Sequence, residues 1–218
     1  MKTGRIKITG GLYLVIDPSP GIFEVLPKVE AAMRGGVTVL QIWNHWSYGQ
    51  DTHFFVETIC MLAEKHSVPV LINENVELLM TTGVDGIHFD EPIVTPHELR
   101  EKTGREIIYG ITCGNDLARV RWAVEHNADY ISFCSLYSSS SVNTCDLVSL
   151  DTLRKARAIA PFPIFASGGI TPENAIPVLE NGSDGIAVIS GILKAENPEA
   201  AARRYVEVIE RINHKRHR

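Results

Sequence analysis

Two short runs of this sequence carry residue types that hold an anion through uncharged donors. The first is Ser167-Gly168-Gly169-Ile170-Thr171-Pro172-Glu173-Asn174, and the second is Val188-Ile189-Ser190-Gly191. Paired glycines let backbone N–H groups approach a phosphate oxygen at a distance that side chains would prevent. A glycine pair alone could equally be a tight turn, so its place in the fold has to decide. Other chemistry-bearing residues lie further apart. Cys113, Cys134 and Cys145 could gather near a ligand, although cysteine is more often a small buried apolar group than a nucleophile or metal ligand. Trp43, Trp46 and Tyr48 could stack on a flat heteroaromatic ring or pack against neighbouring loops. His88 lies in a short inner strand and reads as a core histidine with its hydrogen bonds satisfied.

Short β-rich runs alternate with helical periodicity along the whole chain, the pattern of parallel strands joined by crossover helices. Strands are expected at 12–16, 37–43, 70–73, 86–89, 107–112, 130–133, 164–167 and 185–190. The clearest helices fall at 23–34, 53–66, 117–126, 150–160, 172–181 and 199–212, with apolar residues at three- and four-residue spacing. Gly35-Gly36 and Gly182 stand where helices end, Asp116 and Thr171 where they begin, and Pro172 would then take the first helical position. Val84-Asp85-Gly86-Ile87, Ala128-Asp129-Tyr130-Ile131 and Ser183-Asp184-Gly185-Ile186 repeat one pattern, a small or apolar residue and an acid before a strand. Eight such units fit a closed (β/α)8 barrel. An open doubly wound sheet would carry a glycine-rich turn after its first strand, where this chain has Asp17-Pro18-Ser19-Pro20. In a barrel the active site is built where strands end, and phosphate commonly sits beyond strands seven and eight. Both glycine-bearing runs fall there, which turns the glycine pair from a bare turn into an expected phosphate site.

The 218 residues, 44% of them hydrophobic, suffice for one core, so residues 1–218 are expected to form a single domain with a frayed end at 213–218. A net charge of -5 gives no reason to expect nucleic acid, whose partners carry concentrated basic surfaces. The basic run 214–218 is a solvated tail on this reading. No segment approaches the roughly 18 apolar residues of a membrane span, and no apolar stretch follows Met1, so a cytoplasmic protein is expected. The four cysteines lack CxxC spacing and are expected to be reduced thiols.

Leu12-Tyr13-Leu14-Val15-Ile16-Asp17, Gly35-Gly36-Val37, Gly86-Ile87-His88, Ala128-Asp129-Tyr130, Gly168-Gly169-Ile170 with Pro172-Glu173-Asn174, and Asp184-Gly185-Ile186-Ala187-Val188-Ile189-Ser190 follow one another in order. In this, nearly the whole chain resembles the thiamine-phosphate synthase and thiazole tautomerase family. The resemblance implies a (β/α)8 barrel that joins an aminopyrimidine pyrophosphate to a thiazole phosphate, with Mg2+ assisting loss of pyrophosphate. A related branch isomerises a thiazole carboxylate phosphate. The resemblance puts the thiazole phosphate on Gly168, Gly169, Ile189 and Ser190 and Mg2+ on Glu74, with Asp90, close to the second metal position, as its expected substitute ligand. Gln41, Asn73 and either Thr112 or Cys113 fall at catalytic positions, and Ser139 and Ser141 bridge the two halves. The expected partner is a small phosphorylated heterocyclic substrate, and the assembly, if any, a homodimer.

Departures from the family pattern concentrate on the pyrophosphate side. Its Gln-x-Arg-x-Lys reads Gln41-Ile42-Trp43-Asn44-His45, keeping the glutamine and losing both cations. An unperturbed histidine is charged only below about pH 6.5, so His45 replaces a lysine poorly. Asn-Asp becomes Asn73-Glu74, the second metal aspartate aligns with Ile93, and Thr-x-Thr-Lys becomes Ser139-Ser140-Ser141-Val142. The catalytic histidine of the tautomerase corresponds to Asn115, which cannot shuttle a proton. Three readings follow: a synthase with a rebuilt pyrophosphate site, a non-catalytic or regulatory phosphate-binding barrel, and an isomerase. Retained thiazole-phosphate binding with weakened pyrophosphate binding is expected.

Overall fold

The computed structural model describes residues 7–138 and 147–216. Strands and helices alternate: β1 (Gly11–Ile16), α1 (Ile22–Arg34), β2 (Val37–Ile42), α2 (Thr52–His66), β3 (Val70–Asn73), α3 (Val76–Thr81), β4 (Gly86–Phe89) and α4 (Pro96–Thr103). Then come β5 (Ile108–Thr112), α5 (Leu117–Glu125), β6 (Tyr130–Phe133), α6 (Leu150–Ile159), β7 (Ile164–Ala166), α7 (Ala175–Glu180), β8 (Gly185–Val188), the single turn α8 (Ser190–Leu193) and α9 (Pro198–Arg216). Each strand pairs in parallel with its neighbours and β8 closes on β1, giving the expected eight-stranded barrel. Among the described residues no helix is long and apolar enough to cross a membrane.

The acidic repeat proves to be a clamp on alternate strands. Asp85, just ahead of β4, accepts the Val70 N–H of β3 at 2.9 Å; Asp129, ahead of β6, accepts the Tyr109 N–H of β5 at 2.9 Å. Asp184, ahead of β8, accepts the Ile164 N–H of β7 at 2.8 Å. Arg100 and Arg157 back the last two carboxylates at 3.0 and 2.7 Å. Each aspartate thus satisfies a strand N–H at the bottom of the barrel, where an orphaned donor would be costly.

Side chains alternate between two cores. Tyr13, Val39, Leu71, Ile108, Tyr130, Phe165 and Ala187 fill the barrel interior, while Leu12, Leu14, Ile16, Leu40, Ile42 and their equivalents pack outward against the helices. Gly110 makes room for the Tyr130 ring, which lies where a β-carbon on Gly110 would be.

One expected boundary is corrected. Thr171 is not a helix cap and Pro172 is not a first helical residue, because α7 begins at Ala175. Asn174 explains the delay: its Oδ1 accepts the Thr171 N–H at 2.8 Å and its Nδ2 donates to the Gly169 carbonyl at 3.0 Å, closing the turn that carries the glycines. The last helix, α9, runs to Arg216, with Asn213 Nδ2 3.4 Å from the Asp184 carbonyl.

Candidate active site

The same alternation decides which side chains reach the barrel mouth. Above the apolar interior layer, the inward positions carry Gln41 on β2, Asn73 on β3, His88 on β4, Thr112 on β5 and Ser132 on β6. These line a cavity of about 1020 Å³ together with Trp43, Asp90, Gly168, Gly169, Ile189 and Ser190.

The cavity floor is one continuous hydrogen-bonded chain. The Tyr13 hydroxyl donates to Gln41 Oε1 at 2.5 Å and lies 2.9 Å from the Tyr130 hydroxyl, which lies 2.8 Å from His88 Nδ1. His88 Nε2 reaches Thr112 Oγ1 at 3.0 Å and Ser132 Oγ at 3.4 Å. Burial holds the His88 pKa down at about 3 and pushes the Tyr13 and Tyr130 hydroxyls well above the usual tyrosine range. The floor is therefore uncharged at neutral pH, and His88 is the satisfied core histidine its sequence context suggests. What the chain does is fix Gln41 and Thr112 in place.

At the β3–β5 side, Asn73 Nδ2 donates to the His88 carbonyl at 3.3 Å, and its Oδ1 accepts the Asn44 N–H at 3.4 Å. Glu74 adopts φ +55°, unusual for a residue with a side chain, its N–H held on the His88 carbonyl at 2.9 Å. Conformations of this kind gather at functional sites. That turn brings Glu74 Oε1 to 3.3 Å from the Asp90 N–H. Burial raises the Asp90 pKa, against the hydrogen bonds from Asn73 and Thr112 that favour its charged form. Glu74 itself does not line the cavity.

The β7–β8 side is built of backbone. Gly168 and Gly169 have φ of +87° and +64°, and β-carbons there would collide with Ser135 and with the Ser138 carbonyl. The crowding arises because Leu136 and Tyr137 donate their N–H groups to the Ser167 and Gly168 carbonyls at 2.9 and 3.0 Å. Among the described residues, no protein acceptor meets the N–H groups of Gly168, Gly169 or Ser190. This leaves backbone donors facing the cavity, as an anion site requires.

Cys113 and Thr112 are adjacent and so point to opposite faces of β5. Thr112 faces the cavity, whereas Cys113 is buried in the layer between strands and helices, its thiol pushed up to about 12 by burial. Such a thiol is no nucleophile at neutral pH, so of the two residues at this position only Thr112 can act on a ligand. Cys134 lines the cavity, its Sγ 3.2 Å from Ser135 Oγ. Ser139, Ser141 and Cys145 lie outside the described residues. Trp43 lines the cavity with its ring centroid 4.7 Å from that of His45 at a 35° tilt, while Trp46 packs edge-on against Phe55 and Tyr48 is fully exposed. Asn115 has its side chain occupied by the Leu147 carbonyl at 3.0 Å and Thr152 Oγ1 at 3.2 Å.

Sequence reasoning passes over Arg119, which reaches the cavity from α5. Its guanidinium donates to the Asp90 carbonyl at 3.1 Å and to Glu91 Oε1 at 2.9 Å. The available signal was its place one turn beyond the Asp116 cap, on the helix that leaves the mouth end of β5.

The closed barrel with a polar cavity at the strand ends defines the class, an α/β barrel that takes a small ligand at its C-terminal mouth. Within that class the chain belongs to the thiamine monophosphate synthase (TMP-TENI) family, whose profile matches residues 12–192. A thiamine-phosphate synthase of Acidithiobacillus ferrooxidans is 33% identical over 209 residues, covering 93% of this chain and 95% of the relative. One of Natronomonas pharaonis is 32% identical over 204 residues, with 92% and 95% covered. Among solved structures, a thiamine phosphate pyrophosphorylase from Pyrococcus furiosus matches with TM-score 0.80 at 24% identity, over 93% of this chain and 96% of that one.

Proposed function

We propose that this protein acts in thiamine biosynthesis as a thiamine-phosphate synthase, joining an aminopyrimidine pyrophosphate to a thiazole phosphate. The observation that carries the reading is the layout of the cavity. Backbone donors occupy the β7–β8 side and amide, hydroxyl and carboxylate groups the β3–β5 side, and about 1020 Å³ between them accommodates two small heterocycles. Gly168, Gly169, Ile189 and Ser190 hold the thiazole phosphate. Gln41, Asn73 and Thr112 surround the reacting atoms. The carbon–oxygen bond to pyrophosphate breaks, and the thiazole nitrogen supplies the electron pair for the new carbon–nitrogen bond. No proton has to be abstracted, which suits an uncharged floor without a free base.

Mg2+ takes one or two protein carboxylates and completes its shell with phosphate oxygens and water. Asp90 at the cavity edge and Glu74 beside it fit that requirement and would hold the ion. Among the described residues no group of three or more His, Cys, Asp and Glu forms an all-protein cage. When bound, the ion withdraws charge from the leaving pyrophosphate. A barrel that binds the phosphate ester without turnover is the second reading, favoured by the uncharged Trp43 ring that lines the cavity, tilted against His45. Asn115 favours neither reading over the other; its amide, bonded to the Leu147 carbonyl and Thr152 Oγ1, offers no proton shuttle for an isomerase.

Incubating the purified protein with both precursors and Mg2+, and following thiamine phosphate by oxidation to its fluorescent product, separates the two. Turnover is expected; binding of the thiazole phosphate with no product would establish the second reading instead.

A further inference from the structure

We propose that Arg119 is the pyrophosphate-binding cation of this protein, supplied from α5. The inference rests on the synthase reading above and names a residue that neither the motif nor the resemblance assigns. Among the described residues that line the cavity, Arg119 is the one cation, since His88 is buried and neutral. A pyrophosphate released in a partly desolvated cavity needs such a group, and a guanidinium meets phosphoryl oxygens through two parallel donors.

Its position suits the task. In an eight-stranded barrel β4 and β5 lie across the axis from β8 and β1, so Arg119 faces the β7–β8 donors from the far side of the mouth. It is beside Asp90, the carboxylate proposed for Mg2+, and donates to the Asp90 carbonyl at 3.1 Å. That bond anchors one nitrogen and leaves the rest of the fork to exchange partners. The groups facing it are Glu91 at 2.9 Å and Asp116 at 3.8 Å. The Glu91 side chain is 72% exposed, so this pair is a weak, water-screened contact that a more highly charged anion can displace. Arg119, at 30% exposure, is held closer to the protein. The arrangement resembles a gate: Glu91 neutralises the guanidinium when the cavity is free and yields it to pyrophosphate.

The test is calorimetric titration with inorganic pyrophosphate, and separately with the thiazole phosphate, on wild type, Arg119→Gln, Arg119→Lys and Glu91→Gln, each checked for folding by thermal melting. Arg119→Gln is expected to weaken pyrophosphate at least ~10-fold and leave the thiazole phosphate unchanged, with Arg119→Lys between. Glu91→Gln is expected to strengthen pyrophosphate binding in the wild-type background and to add less in Arg119→Gln, a non-additivity that loss of a nearby negative charge alone would not produce. Equal pyrophosphate affinity in wild type and Arg119→Gln overturns the proposal, as does Glu91→Gln without effect. If wild type fails to make thiamine phosphate yet binds pyrophosphate through Arg119, the synthase reading falls and this assignment stands.

Discussion

At the scale of single residues, strand parity separates what acts from what packs. Thr112 faces His88 and the cavity, and Cys113, one residue later, faces the helices. Thr112→Val is expected to lower kcat/KM at least ~10-fold, because His88 Nε2 keeps only its longer contact to Ser132 Oγ and the contact to Asp90 is lost. Cys113→Ala should leave kcat/KM within ~2-fold and cost about 1 kcal/mol of stability by opening a small void. Steady-state kinetics and urea unfolding on the two variants check this, and the reverse order of effects would show the parity assignment to be wrong. His88 makes a second prediction, in pH. Its folded pKa lies near 3, below the unfolded value of 6.5. The unfolded chain therefore takes up a proton that the native one refuses, and the stability this contributes is complete above pH 6.5 and is lost as pH falls toward 3. The expected slope is about 1.4 kcal/mol per pH unit. Urea unfolding between pH 6.5 and 5 lies above the range of depressed carboxylates such as Asp17, and subtraction of the His88→Gln slope removes the contribution of Asp90, whose pKa burial raises. His88→Gln should flatten the slope; an unchanged slope would assign it to other groups.

At the scale of elements, the aspartates ahead of β4, β6 and β8 hold the barrel's lower rim. Asp184→Asn should cost about 2 kcal/mol, since it weakens the bond to the Ile164 N–H and leaves Arg157 without its anion. Thermal melts of Asp184→Asn and wild type check this, and an unchanged Tm would show that the clamp carries no stability. These acids were legible as a repeat, and the strands and most helices were legible from periodicity. The reach of the acids across to the neighbouring strand was not, because it depends on the stagger of closed parallel strands. Pro172 misled for a related reason: a rule for helix starts gave way to Asn174, whose side chain bonds backbone on both sides of the turn. The glycine runs were legible because φ above zero leaves a direct mark on residue type. Thr112 and Cys113 could have been separated by counting from Gly110, which is also inward. Arg119 left only its place one turn beyond the Asp116 cap as a signal, because whether a helical side chain reaches the mouth depends on how α5 leans against the barrel.

At the scale of the whole molecule, the cavity has unequal ends, and this difference decides what the protein binds well. The β7–β8 end presents backbone donors enforced by glycine geometry, independent of pH and of any side chain. The opposite end sets Asp90 and Glu91 beside the single guanidinium of Arg119, so its local charge opposes an incoming polyanion unless Mg2+ offsets it. Trp43, tilted against His45 whose Nδ1 lies 3.0 Å from Asp17 Oδ1, fills the wall between these ends with an aromatic surface. Thiazole phosphate is therefore expected to bind measurably without metal, and aminopyrimidine pyrophosphate to bind weakly without metal and partly recover with Mg2+. Trp43→Arg places a cation on that wall and should raise pyrophosphate affinity about 10-fold, with any synthase activity rising alongside. Calorimetry with each ligand, with and without Mg2+, checks all three expectations on one protein preparation. If unmodified protein already turns over both precursors at a few per second or more, a rate ordinary for enzymes, then Arg119 and Mg2+ together suffice. In that case Trp43→Arg should add nothing, because the wall at Trp43 was never short of charge.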